Sequence, residues 1–358
     1  MALPYFARKY EADCSLCHWH QPKLNSFGKK FQSNGYRMAR DEEPDSSFKT
    51  ITTLPVSLKM EPRFVARNSA AASSDFQMHA IELQIAGSLP GGGSLMVEKY
   101  LEERGDYHNA GDAFVTWPLG NKGSLKIGQF KTMTHIPDSE RVTLSRNIVY
   151  NTRTSLGGGT NRVRLRDVQR GLEFGTRLAT GLDLTASVFN GNADAAETGD
   201  VADNNDTKSF NLELVRGFTR SSLGAFFYGG DSAAATAQKN RFTRFGFTAL
   251  YKPSYDWNFE FIAMAGTDRN LLGDNGATRV RTRAWSAEAD YMLRDGLIAY
   301  LRHGQHRATA SALAPATRRE TLLGVSWMLN PTQKITMEYQ TLSGKDNDGL
   351  EMELELNF

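Results

Sequence analysis

The chain has 358 residues, 42 of them basic and 40 acidic, for a formal charge of +2, and the basic residues are dispersed rather than gathered in a tract. Such a balance gives no polyanion-binding signal and argues against nucleic acid as a partner. The length allows one large or two ordinary domains. No segment approaches the unbroken apolar length of a transmembrane helix, whereas 32 Gly, 20 Phe, 12 Tyr and 5 Trp suit strands and turns.

Met1 to Ala12 has no apolar core of the kind an export signal needs, so the reading is of a mature form. The only two cysteines follow at once, in Cys14-Ser15-Leu16-Cys17-His18. A C-x-x-C-H run is a c-type haem attachment pattern, in which two thiols add to the haem vinyl groups and the adjacent imidazole takes an axial position on iron. A zinc site would need a second Cys or His pair at matching spacing, and none follows. Haem is attached to such motifs outside the cytoplasm, which is where the chain is expected.

From Gln21 to Asn34 the pattern is helical, with Leu24, Phe27 and Phe31 on one face and Pro22 in the first turn. Gly28 costs about 1 kcal/mol in a helix, unless a close neighbour such as porphyrin needs the missing side chain. Asn34-Gly35 is the expected stop. A segment of about 45 residues buries too little apolar surface to stand alone and should lean on haem or a larger neighbour. Cys14, Cys17, His18, Phe6, Trp19, Leu24, Phe27 and Phe31 are the candidate haem-binding residues.

After the acidic, turn-like stretch Asp41 to Ser47, alternation begins and lasts to the end of the chain. Sixteen strands are expected: 53–68, 74–88, 94–104, 112–119, 124–132, 170–179, 182–192, 206–218, 221–231, 240–253, 257–269, 280–293, 296–308, 316–329, 333–344 and 348–358. Tight turns such as Pro90-Gly91-Gly92-Gly93, Asn121-Lys122-Gly123, Thr180-Gly181 and Arg294-Asp295 alternate with mostly longer polar connections. Short turns on one rim and long loops on the other are the plan of an outer-membrane β-barrel, with both ends of an even-stranded chain on the short-turn, periplasmic side. In the last strand Met352, Leu354, Leu356 and Phe358 oppose Glu351, Glu353, Glu355 and Asn357. In the twelfth, Trp285 and Tyr291 oppose Ser286, Glu288 and Asp290. In the fifteenth, Ile335, Met337 and Tyr339 oppose Lys334, Thr336 and Glu338. A sandwich would also alternate; the charged polar face and the aromatics Tyr251, Trp257, Phe259 and Tyr291 near the short turns favour a barrel with an interfacial girdle. A mean hydropathy of −0.45 is then no objection, since half of each strand meets lipid.

The connection 133–169 carries Arg141, Arg146, Arg153, Arg162, Arg164 and Arg166. With Gly128-Gln129-Phe130-Lys131 before it and Arg166-Asp167 after it, it looks like the inward-folding loop of phosphate-type porins. An anion-attracting constriction is one reading. The favoured one is a loop whose arginines pair with lumen carboxylates such as Glu98 or Glu260, since a charged lumen is ordinary barrel chemistry.

The ending Glu355-Leu356-Asn357-Phe358 resembles the C-terminal assembly signal of outer-membrane proteins. Leu3-Pro4-Tyr5-Phe6-Ala7-Arg8, the haem motif, Pro22-Lys23-Leu24-Asn25-Ser26-Phe27-Gly28 and Asn34-Gly35-Tyr36 together resemble the monohaem cytochrome-porin fusions of bacterial outer membranes, best known from iron oxidisers. The resemblance is close over the first 40 residues and covers the barrel in plan only. It implies an all-β transmembrane barrel of about sixteen antiparallel strands (48–358) with a small helical cytochrome c domain (1–47) plugging its lumen. It also implies one covalent haem c passing electrons between an extracellular donor or acceptor, such as ferrous iron, and a periplasmic cytochrome.

For the second axial ligand Met38 is the first choice. Met60 follows, although its parity with Val56 and Leu58 turns it to lipid; Met78 has inward parity. His20 reads as a surface or propionate-side residue, and His79, His108, His135, His303 and His306 are remote in sequence. Two other functions stay open: a haem enzyme with an open axial position, and a diffusion porin whose haem domain is merely a plug.

Overall fold

The structure, a computed structural model, describes residues 4–33, 36, 38, 55–68, 73–89, 92–103, 110–120, 122–131, 135–161, 163–191, 207–233, 239–311, 313–343 and 348–358. The expected stop at Asn34-Gly35, the domain boundary near Ser47, His108, Arg162, Pro90-Gly91 and Asn121 lie outside the described residues.

Sixteen strands close into one antiparallel barrel. They are β3 (Val56–Asn68), β4 (Ser73–Ser88), β5 (Ser94–Glu103), β6 (Ala110–Leu119), β7 (Gly123–Lys131), β10 (Val168–Ala179), β11 (Leu182–Phe189), β12 (Ser209–Gly217), β13 (Ser221–Ala233), β14 (Lys239–Tyr251), β15 (Trp257–Asp268), β16 (Val280–Arg294), β17 (Leu297–Ala310), β18 (Leu313–Asn330), β19 (Gln333–Leu342) and β20 (Asp348–Asn357). The seam joins last strand to first, with Met352 opposite Phe64 and Glu353 opposite Arg63. Each sequence-expected strand has its counterpart, because a period of 2 with one charged and one apolar face admits only one way of facing lumen and lipid. Tight turns close where glycine supplies a left-handed residue, as at Gly181 (φ 69°) and Gly296 (φ 76°).

The outward face is apolar and exposed. Near the short turns Trp257 stacks on Phe259 (5.2 Å between centroids) and lies 4.6 Å from Tyr291, and Arg294 sits over Trp327 at 5.5 Å. This is the expected girdle. The inward face is charged and tied up in pairs: Arg63 with Glu351 and Glu353, Arg244 with Asp268, and the fully buried Arg302 with Glu288 and Glu320.

Two segments pack against the inward face of the barrel. From the long-loop rim, residues 135–161 and 163–167 fold inward and include the one-turn helix α3 (Ile148–Asn151) and a short ribbon, β8 (Ser155–Leu156) with β9 (Gly159–Thr160). Ile136, Ile148, Val149, Tyr150, Val163 and Leu165 pack on Phe130, Phe226, Tyr228, Phe242 and Ile262 of the wall, so part of the barrel interior is an apolar core. Lumen-facing glycines make the room: a Cβ at Gly304 would lie 2.7 Å from Ile148 Cγ2, and one at Gly224 2.7 Å from His135 Nδ1.

From the short-turn rim comes the amino-terminal segment: α1 (Pro4–Tyr10), a 3-10 turn over Cys14–Leu16, the ribbon β1 (His18–His20) with β2 (Lys23–Leu24), and α2 (Ser26–Ser33). The helix expected from Gln21 begins five residues later. Gln21-Pro22 instead turns β1 into β2, and Asn25 caps α2 by accepting the Gly28 N–H at 2.9 Å. Phe6, Tyr10, Phe31 and Tyr36 form an aromatic cluster joining α1 to α2, with Phe6 and Phe31 centroids 5.0 Å apart.

Candidate functional site

The two cysteines stand at either end of the tight turn, with the Cys17 N–H donated to the Cys14 carbonyl at 3.2 Å; neither is in a disulfide, and the Cys14 thiol donates to the Pro331 carbonyl at 3.7 Å. Asn25, which caps α2 through its oxygen, donates its Nδ2 to the carbonyls of Ser15 (3.1 Å) and Leu16 (3.0 Å), and its own N–H goes to the Cys17 carbonyl (2.9 Å). One side chain therefore locks the motif onto the helix. Gly28 completes the lock: a Cβ there would lie 2.1 Å from the Cys17 carbonyl oxygen and 2.9 Å from Leu24 Cδ2. The close neighbour that excludes a side chain is thus the motif's own backbone.

His18 lies with Nδ1 3.2 Å from the Pro22 carbonyl oxygen. A carbonyl can only accept, so Nδ1 carries the proton and Nε2 keeps its lone pair. Burial pushes the imidazole down to about 3, so it stays neutral near pH 7. Burial also raises both thiols. Two thiols outside any disulfide and a neutral imidazole with a free lone pair are the set a covalent haem requires, and the residues present fit that group.

The segment is pinned to the short-turn rim and to the lumen wall. Tyr5 N–H donates to Ser57 Oγ (3.1 Å), Arg8 to the Val56 carbonyl (2.6 Å) and Gln21 to the Pro331 carbonyl (2.9 Å). The Trp19 indole donates to the Tyr255 carbonyl (2.8 Å) beneath the ammonium of Lys252, 5.2 Å from its ring. His20 is buried and bonds Ser326 Oγ through Nε2 (3.0 Å), which overturns its reading as a surface residue: the turn at Pro22 drives β1 into the lumen.

Deepest is Lys23, whose ammonium lies 2.5 Å from Asp290, 2.7 Å from Glu260 and 3.6 Å from Glu288. Burial alone would lower this ammonium, but the three carboxylates outweigh it and hold it well above its ordinary range. The neighbouring Leu24 N–H donates to Glu140 Oε2 of the inward loop at 3.2 Å. Segment and loop, entering from opposite rims, meet there. Sequence reasoning left Lys23 and Glu140 unassigned, because each gets its meaning from a partner more than a hundred residues away.

Gaps remain beside this junction, one between Lys23, Lys29, His135 and Glu140 and another from Pro22 along Glu61, His79 and Glu353 to Arg146. Glu61, His79 and Glu353 bring one ligand atom each within 4.8 Å of one another, but Lys59 and Arg63 already hold the two carboxylates.

The remaining candidates divide. Leu24 and Phe31 are buried, Phe6 joins the aromatic cluster, and Phe27 is 37% exposed on the outer side of α2. Met38 is half-buried. Met60 faces lipid, opposite Ile81 and Leu356. Met78 does not face inward: Glu61 pairs with Ala80 and Pro62 with Met78, leaving His79 as a bulged extra residue that takes the lumen position. The loop folds inward as expected. Glu260 holds Lys23, Glu98 lies 3.8 Å from Lys131, and Arg164 pairs with Asp167 within the loop.

No protein-family model matches the sequence, and no curated protein matches it. Among solved structures the chain is similar to OmpF of Salmonella typhi in complex with daunomycin, at 13% identity and a TM-score of 0.62, over 87% of this chain and 99% of that one. It is similar to OmpT of Vibrio cholerae (13%, 0.60, 86% and 98%) and to an anion-selective porin from Comamonas acidovorans (12%, 0.61, 85% and 98%). At such identities the likeness is one of fold. The chain is a sixteen-stranded barrel of the bacterial outer membrane.

Proposed function

We propose that this protein carries electrons across the outer membrane through one haem c attached at Cys14 and Cys17, with His18 as an axial ligand. Its partners are an extracellular donor or acceptor such as ferrous iron and a periplasmic electron carrier. The observation that carries the reading is the His18 Nδ1 contact with the Pro22 carbonyl, which leaves Nε2 as a ready iron donor beside two thiols outside any disulfide. When bound, haem supplies one-electron exchange and requires no proton or bond-making from a substrate.

The work of this chain's residues is positional. Asn25 and Gly28 fix the motif turn, the Pro22 carbonyl fixes the His18 tautomer, and Trp19 and Gln21 hold the motif at the periplasmic mouth. Lys23 and Leu24 dock the segment on the lumen wall and on the inward loop, which bars free passage of solutes beside the cofactor. Met38 is the proposed second axial ligand, the one methionine of the three that is not placed on a lipid-facing strand position.

The test is spectroscopic. The pyridine haemochrome of purified protein is expected to show one c-type haem per chain, lost in C14A/C17A, and the ferric form to be six-coordinate and low-spin. A haem-free chain from a host competent in haem attachment would overturn the proposal.

A second reading, a diffusion porin, draws on a different observation: one of the similar structures is an anion-selective porin. Planar-bilayer recording separates the two. A porin gives steady conductance from the intact chain, whereas the plugged electron carrier conducts little until the amino-terminal segment is removed.

A further inference from the structure

The outward face of β15 to β18 carries no aspartate or glutamate, yet near the long-loop rim it presents Arg281, Arg283, Arg307 and Arg319, all exposed. Arg283 stands directly opposite Arg307, and Arg319 lies opposite Gln305, one outward position below Arg307. Among the described residues none of the four side chains has an ion pair or hydrogen-bonding partner. Like charges directly opposite on adjacent strands destabilise a sheet, so an unrelieved pair points to a counter-charge supplied from outside the chain.

The height of the cluster says what supplies it. Arg283 is eight residues above Tyr291 of the periplasmic girdle on the same strand. At about 3.3 Å per residue and a tilt of about 40°, that is roughly 20 Å along the barrel axis, close to the outer edge of an apolar band about 25 Å tall. The guanidinium forks therefore reach the headgroup level of the outer leaflet, Arg319 by extending upward along its apolar stem. Thr267, Arg281 and Thr309 lie side by side in the next row toward the rim. Below, Trp285, packed edge-on against His303 at 5.5 Å, offers an aromatic shelf at the acyl boundary.

We infer that this face of β16 to β18 binds the phosphate groups of an anionic outer-leaflet lipid through Arg281, Arg283, Arg307 and Arg319. Planar guanidinium forks suit a phosphate, which two of them can grip from adjacent strands. The inference does not depend on haem.

The test uses the full-length chain in detergent, titrated with diphosphoryl lipid A, with phosphatidylcholine and with inorganic pyrophosphate, and read by native mass spectrometry. Wild type is expected to retain lipid A and neither of the others. R283Q/R307Q should bind it at least tenfold more weakly, and R283K/R307K should fall between, since lysine keeps the charge and loses the fork. R220Q, at the periplasmic rim, should bind as wild type does. Heat-dependent gel mobility confirms the closed barrel in each variant. Undiminished retention by R283Q/R307Q, equal weakening by R220Q, or equal binding of pyrophosphate would overturn the assignment.

Discussion

Lys23 shows how one residue can decide whether the amino-terminal segment stays docked. Its ammonium is enclosed by Asp290, Glu260 and Glu288, so Lys23→Met takes from Asp290 and Glu260 the cation that holds them, while Glu288 keeps Arg302. Breaking a buried pair in this way costs about 3–5 kcal/mol. The expected result is a segment that undocks at markedly lower urea, followed by Trp19 fluorescence, while barrel mobility on gels is unchanged; an unshifted midpoint would contradict the role given to Lys23. Gly28 is the second such residue. Gly28→Ala forces a Cβ into the Cys17 carbonyl and moves the haem-attachment turn, so haem content per folded barrel is expected to fall severalfold in the pyridine haemochrome assay. The motif cysteines and His18 stood out in the sequence by their spacing alone. Asn25 and Lys23 did not, since capping, clamping and burial appear only when α2 and the wall meet the motif.

At the scale of elements, the inward loop depends on His135, whose Nε2 lies 2.8 Å from Ser222 Oγ and whose Nδ1 contacts Thr248. Burial, then the charge of Lys29, lowers this imidazole to about 4. A group depressed in the folded state contributes stability that is whole above the unfolded value near 6.5 and drains away as pH falls toward 4. Loop motion, recorded as current fluctuations in a planar bilayer, should therefore grow between pH 6.5 and 4 in wild type and lose that pH dependence in H135N. The same scale explains what periodicity missed. Alternation assigns Met78 to the lumen, but one extra residue at the bulge hands that place to His79. The glycines at 224 and 304, single breaks inside strong strand patterns, were the visible trace of a backbone that the inward loop approaches closely.

For the whole molecule, strand number, face and order were readable from the sequence, because lipid outside and charge inside leave each strand one orientation and tight turns leave one topology. Which residues join the amino-terminal segment, the inward loop and the wall was not readable. Loop and amino-terminal segment, entering from opposite rims, meet at the Leu24 to Glu140 contact. Deleting residues 1–33 is expected to raise bilayer conductance several-fold by opening the periplasmic half, and an unchanged conductance would mean the loop alone sets the barrier.

The most direct measurement places the haem-loaded protein in sealed liposomes with its long-loop rim outward and a reducible cytochrome c trapped inside. Ferrous citrate, which cannot cross the bilayer, is then added outside. Electron transfer through the barrel predicts that the bound haem and then the enclosed cytochrome reduce, with no reduction in liposomes carrying C14A/C17A. A bound haem that stays oxidised under ferrous citrate while dithionite reduces it, or enclosed cytochrome that reduces equally with the cysteine-free chain, would contradict that claim.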